Sequence, residues 1–163
     1  MCGIVGIISN NVNKSNYCDL FEALYHLQHR GQDSYGIIGY DNIATHENKN
    51  LGLIDDTNNI PIKSGIGHVR YTTSGEIKLE QTQPFISSKN HTIIMSHNGH
   101  ITKNKVLLEY CKKNKIDYDN TDSKILFDVL TNRCNQHNII TNKIICDIVK
   151  NIIEMFDGSF SII

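Results

Sequence analysis

The residues of this chain best suited to chemistry begin at its second position, in MCGIVGI. Removal of Met1, which a small second residue allows, leaves Cys2 with its thiol and a free α-amine on one carbon. An α-amino group titrates near pH ~8 and a free thiol near ~8.5, so the pair is a nucleophile with a base built in. Attack on a carbonyl then needs donors for the developing oxyanion. SHNGH supplies the side chain of Asn98 and the backbone N–H of Gly99. Arg70, ending the apolar run GIGHVR, is a two-pronged donor suited to a carboxylate. Asp122, in TDS, is a counter-charge suited to an ammonium group. An arginine for a carboxylate and an aspartate for an amine describe an amino-acid pocket, and Cys2, Asn98 and Gly99 describe amide cleavage beside it.

Each residue has a plainer reading when taken alone. A small residue before a strand is ordinary, and Asn-Gly is a common turn dipeptide. An acid in the first turn of a helix is stabilised by the helix dipole. His97 and His100 form an HxxH, and His26 and His29 another, but no third ligand has matching spacing, so no metal site is expected. Arginine occurs only at Arg30, Arg70 and Arg133 in a chain that otherwise uses lysine, a pattern expected where a planar fork is needed; for Arg133, on a helix, chance is the better reading.

The elements that must position these residues follow from apolar periodicity. GIVGII (3–8), YGIIGY (35–40), GIGHVRY (65–71) and TIIMSH (92–97) read as strands. Ser15 or Asn16 caps a helix through about His29, with Leu20, Leu24 and Leu27 on one face. HRGQDS is a loop centred on Gly31, residues 47–64 read as irregular, and Pro84 bars helix in QTQPF. Thr102 caps a helix over 103–115 with Val106, Leu107 and Tyr110 inward, Thr121 caps a second, and Ile144–Phe156 forms a third that Gly158 stops. FSII begins a last strand that ends at an unpaired edge. Strands and helices in this order predict a mixed α+β architecture rather than a βαβ alternation.

At 163 residues the chain is one domain by length, and a net charge of −1 offers no case for nucleic acid or an anionic membrane as partner. No run approaches the ~18 apolar residues of a membrane span, and no signal peptide is evident, so the cytoplasm is the expected compartment. Of the five cysteines, Cys18, Cys111, Cys134 and Cys146 fall in helical stretches and read as small buried hydrophobes, which leaves Cys2 apart.

In order along the chain, MCGIVGI, LQHRGQDS, GIGHVRYTTSG, QPF, SHNGHIT and TDS resemble the glutaminase domain of class II glutamine amidotransferases. LQHRGQDS and GHVRYTTSG resemble the amidophosphoribosyltransferase branch, which serves purine synthesis. The resemblance implies a four-layer α/β/β/α sandwich of the N-terminal nucleophile hydrolase type, with Cys2 attacking the side-chain amide of L-glutamine. It implies Asn98 and Gly99 as the oxyanion hole, Arg70 for the α-carboxylate, Asp122 for the α-amine, and Thr73 with Gly31 shaping the pocket. No cofactor is implied. Lys124 and Ser74 depart from the family pattern, and residues 1–163 are expected to be an incomplete glutaminase domain without its C-terminal strands. No phosphoribosyltransferase domain is expected, and a separate acceptor or synthase chain would take the ammonia. A non-catalytic glutamine-binding remnant and a glucosamine-phosphate-synthase-like glutaminase are the alternatives.

Overall fold

The computed structural model describes residues 1–55, 58–72 and 77–163; Thr73 and Ser74 lie outside the described residues. The chain forms two compact units, one of residues 1–85, 94–98 and 161–163, the other of residues 86–93 and 99–160.

The first unit is built on an antiparallel sheet of β1 (Gly3–Asn13), β2 (Ser34–Tyr40), β3 (Thr45–Leu51) and β4 (Ile62–Arg70), in the order β1-β4-β2-β3. Side chains alternate across a strand, so Tyr35, Ile37 and Val69 reach one face with Val5 and Ile7. Helix α1 (Lys14–His26) lays Tyr17, Leu20 and Leu24 on that face, all essentially inaccessible. The approach is close: a Cβ on Gly65 or Gly67 would sit 2.7 Å from Leu20 or 2.8 Å from Leu24. Asn13 caps α1 by accepting from the Ser15 N–H at 3.1 Å, so the helix starts earlier than Ser15 or Asn16 would have it. Asn16 instead donates to the Ile62 carbonyl at 2.7 Å, tying the helix to β4. The helix ends at His26, and Gln28–Arg30 is a 3-10 turn.

The opposite face carries Ser34, Gly36, His68 and Arg70, paired across β2 and β4 as Ser34 with Arg70 and Gly36 with His68. The carbonyl of Gln83 lies against Gly36, nearer than any side chain would permit. The Gln83–Pro84 peptide is cis. Gln83 accepts from the backbone N–H of His97 at 2.7 Å, which anchors the segment before β5 (Phe85–Ser88). At the end of the sheet remote from Cys2, Ile8, Ile38, Tyr40, Ile66, Ile94 and Ile163 line an apolar pocket of about 440 Å³.

In the second unit, α2 (Lys105–Asn114), α3 (Asp122–Cys134) and α4 (Asn142–Met155) are capped by Asn104, Thr121 and Thr141. Helices α3 and α4 pack on each other, burying Ile125, Val129, Ile148 and Ile152. Lys124 pairs with Asp128 one turn along α3. β6 (Thr92–Met95) pairs with β5, and β7 (His97–Thr102) pairs with β8 (Asp157–Ile162). Among the described residues, no helix is long and apolar enough to cross a membrane.

The α+β class stands, with several local corrections. The stretch 47–64, read as irregular, holds most of edge strand β3, in unbroken register with β2, and the start of β4 at Ile62. TIIMSH is two strands, broken at Ser96, and the last strand is paired with β7 rather than unpaired. Val106 is exposed while Leu107 and Cys111 are buried, because Asn104 rather than Thr102 sets the start of α2. Cys18 and Cys146 are exposed; only Cys111 and Cys134 follow the buried reading. Gly158 does not stop α4 but lies inside β8 at φ +152°, and the helix gives way to extended backbone at Phe156.

His68 is wholly buried on the face shared with Arg70, and burial lowers its imidazole pKa from 6.5 to about 3, against a smaller opposing effect of the His97 backbone. The unfolded chain therefore takes up this proton first on acidification. Stability from neutral His68 is whole above pH 6.5 and is lost as the pH falls toward 3. Between pH 7.5 and 5.5 the wild type should lose about 1.4 kcal/mol more than His68→Gln in urea titrations. Equal losses would show that His68 takes up its proton in the folded protein as readily as in the unfolded chain.

Candidate functional site

Cys2 owes its place to the start of β1. Gly3 pairs with Val69, so Cys2 lies beside the end of β4, with its Sγ 3.9 Å from the Tyr71 carbonyl. A Cβ on Gly3 would meet Val69 at 2.8 Å and Leu27 at 2.9 Å, so glycine lets the strand enter here. From the other side Arg30 donates through Nε to the Cys2 carbonyl at 2.9 Å. The Cys2 main chain is thus held by β4 and by the 3-10 turn together. Its side chain stays partly accessible.

The turn from Arg30 into β2 is moulded on the same strand end. Gly31 is buried, and a Cβ there would stand 2.5 Å from the Arg70 carbonyl carbon. Asp33 donates its backbone N–H to the Arg70 carbonyl at 3.1 Å. Its carboxylate accepts from the Thr72 N–H at 2.6 Å, which fixes the chain as it leaves β4. Gln28 braces the turn from below, donating to the Gly31 carbonyl and accepting from the Ile54 N–H at 2.6 Å.

Arg70 is 8 % exposed. Its Nη2 donates to the side-chain oxygen of Gln81 at 2.9 Å, while its buried Nη1 has no hydrogen-bond partner among the described residues. Burial lowers its pKa from the ordinary arginine value, and the neighbouring charges of Cys2 and Asp33 oppose that shift. A guanidinium keeps its proton in a protein, so this is a buried cation with donor capacity left over. Cys2, Gly31 and Arg70, picked out by sequence, are therefore brought together in the first unit.

Asn98 belongs to the same unit, half-buried in β7. Asn98-Gly99 is not a turn: both residues lie within β7. A Cβ on Gly99 would stand 2.6 Å from the Phe160 Cα, so the pairing with β8 demands glycine there. Asp122 opens α3 in the second unit, where one carboxylate oxygen accepts from the Ile101 N–H at 3.0 Å and the other from the Ser123 N–H at 2.7 Å. These bonds fix its carboxylate in place. His97 is buried and His100 exposed, as residues three apart on a strand must be, so the HxxH does not converge.

Sequence reasoning missed Asp33, Gln81 and Gln83. The rarity of arginine did mark Arg30, though not what it would hold. Gln81 carried no local signal, because its contact with Arg70 is set by the path of the intervening loop.

The family model for class II glutamine amidotransferases matches residues 40–159. The amidophosphoribosyltransferase of Methanothermobacter thermautotrophicus is 34 % identical over 99 % of this chain and 35 % of its own length. That of Methanocaldococcus jannaschii is 35 % identical over 100 % of this chain and likewise 35 % of its own length. That of Escherichia coli is 38 % identical over 79 % of this chain. The chain thus spans about a third of the length of the curated relatives it matches over its whole extent. The fold is shared with a solved structure described as the allosteric regulatory enzyme of purine biosynthesis, at TM-score 0.75 and 24 % identity, covering 99 % of this chain and 34 % of the other. It is shared also with the glutamine phosphoribosylpyrophosphate amidotransferase from B. subtilis, at TM-score 0.71 and 24 % identity over the same shares.

The packing of the Gly31 turn on β4 makes a prediction. Gly31→Ala sets a methyl group against backbone at 2.5–2.7 Å, whereas Gly6→Ala meets a side-chain methyl of Ile163 at 3.0 Å. The first should cost about 1–3 kcal/mol in denaturant titrations and the second well under half of that. Equal costs would refute the close approach.

Proposed function

The chain belongs to the class II glutamine amidotransferases, and from that premise we propose that it hydrolyses the side-chain amide of L-glutamine with Cys2 as nucleophile. Residues 1–163 are read as a glutaminase unit. The observation that carries this reading is the pairing of an immobilised Cys2 with a buried, incompletely satisfied Arg70 at one strand end. A buried cation with a spare N–H is costly to leave unpaired, and a substrate carboxylate would satisfy it.

The chemistry follows from the parts. Met1 is 78 % exposed, so an aminopeptidase can reach it, and its removal frees the Cys2 α-amine to serve as base. The thiol loses its proton and adds to the amide carbonyl, and the oxygen that gains charge is received by Asn98 and the Gly99 N–H. The tetrahedral adduct collapses with transfer of a proton to nitrogen, so that the C–N bond breaks, ammonia leaves and a thioester remains. Water adds to the thioester, and the C–S bond breaks to give glutamate and the free thiol. Arg70 takes the α-carboxylate, Asp122 the α-ammonium group, and Gly31 and Thr73 shape the pocket.

The relatives' name supports a phosphoribosyl acceptor for the ammonia over a hexosamine one. On this reading the acceptor is handled by polypeptide outside residues 1–163, in the cytoplasm. The intact set of Cys2, Arg70, Asn98, Gly99 and Asp122 supports catalysis over a binding remnant.

Two measurements test this. Intact mass after exposure to a diazo-ketone analogue of glutamine should show loss of Met1 and one adduct per chain, absent in Cys2→Ala, which should also release no glutamate. Equal glutamate release by wild type and Cys2→Ala would refute the nucleophile, and a processed chain without adduct would favour the remnant. Arg70→Lys replaces a fork by a point charge and should raise KM for glutamine about tenfold or more with a smaller change in kcat.

A further inference from the structure

The partner that Arg70 already has is neutral, and that choice has consequences for substrate. Gln81 ends the 3-10 turn Leu79–Gln81, whose N–H groups at Gln81 and Thr82 donate to the Lys78 and Leu79 carbonyls at 3.1 and 3.0 Å. The next two residues are buried, and Gln83 is locked to the His97 N–H. The Gln81 side chain therefore reaches Arg70 from a fixed turn. Asp33, whose charge acts on Arg70 through space, gives one carboxylate oxygen to the Thr72 N–H. Among the described residues, no acidic group is hydrogen-bonded to Arg70.

We infer that Gln81 is a specificity-determining residue: its neutral oxygen orients the Arg70 guanidinium through Nη2 and leaves the positive charge and Nη1 for the carboxylate of the substrate. This rests on the reading of Arg70 given above. A carboxylate at position 81 would satisfy Nη2 equally well but would neutralise the charge that the substrate must meet. A residue of similar length with no acceptor would leave the charge and lose the orientation. Both changes act on recognition of an α-carboxylate and on nothing else in the reaction.

The test uses the whole chain with two substrates, L-glutamine and its α-carboxamide, which carries no negative charge. Gln81→Glu should raise KM for glutamine tenfold or more with kcat within about threefold, and should shift KM for the carboxamide less than twofold. Gln81→Met should raise KM for glutamine three- to tenfold and again spare the carboxamide. Thermal melting checks that each variant is folded; if Gln81→Glu is not, Gln81→Met decides alone. Unchanged KM for glutamine in the folded variants of an active chain, or equal shifts for both substrates, would overturn the role of Gln81 while leaving the glutaminase reading standing. A wild-type chain that is processed yet releases no glutamate would overturn that reading and this inference with it.

Discussion

The register of β1 on β4 is the constraint on which the first unit turns. Pairing Gly3 with Val69 sets Ile4 opposite His68 and brings Cys2 to the end of β4 where Arg70 and Tyr71 leave the sheet. A slip by one residue would exchange the faces of β1 and send Val5 and Ile7 away from α1. The hydrophobic seam with Leu20 and Leu24 therefore fixes the position of the thiol as a by-product of fixing the strand. No separate device is needed to bring Cys2 to Arg70, only devices to hold it, and Arg30 and Gly31 are those devices.

The two faces of that sheet are organised differently. Toward α1 the contacts are apolar, and the buried amide of Asn16 is satisfied by carbonyls at both ends of its reach. Toward the other face, Ser34 Oγ and Arg70 Nη1 are buried without hydrogen-bond partners among the described residues. Unsatisfied polar atoms cost roughly 1–3 kcal/mol each and are ordinarily avoided. Of these, Arg70 Nη1 is the donor that the proposed substrate carboxylate would satisfy.

Most of the elements were legible because apolar periodicity specifies them: the strands read at Gly3, Tyr35 and Gly65 and the inward Leu20 and Leu24 of α1 are present, though β1 runs on to Asn13 and Leu27 lies past the helix end. β3 was not, since THENKNL has no apolar alternation; as an edge strand it is held by backbone pairing with β2, and its Lys49–Glu47 contact at 2.6 Å is polar. The start of α1 was misplaced because Asn13, Ser15 and Asn16 are all competent caps and only the path of β1 selects Asn13. Cys2, Arg70, Asn98, Gly99 and Asp122 suggested a site only as a set, through complementary chemistry that no single residue shows; of these the structure brings Cys2 and Arg70 to one strand end. Asp33 and Gln81 were illegible because each acts through a loop contact that no spacing encodes.

The distribution of acids around Arg70 bears on why the site is built as it is. A buried arginine is normally stabilised by a bidentate carboxylate, and Asp33 is close enough in charge to oppose the loss of its proton. Yet Asp33 is turned to the Thr72 N–H, and the direct contact is given to an amide. On the role proposed for Arg70, pairing it with an internal carboxylate would make an incoming carboxylate compete with a charge of its own sign. Partial pairing by a neutral oxygen keeps the guanidinium in one orientation at low cost in affinity.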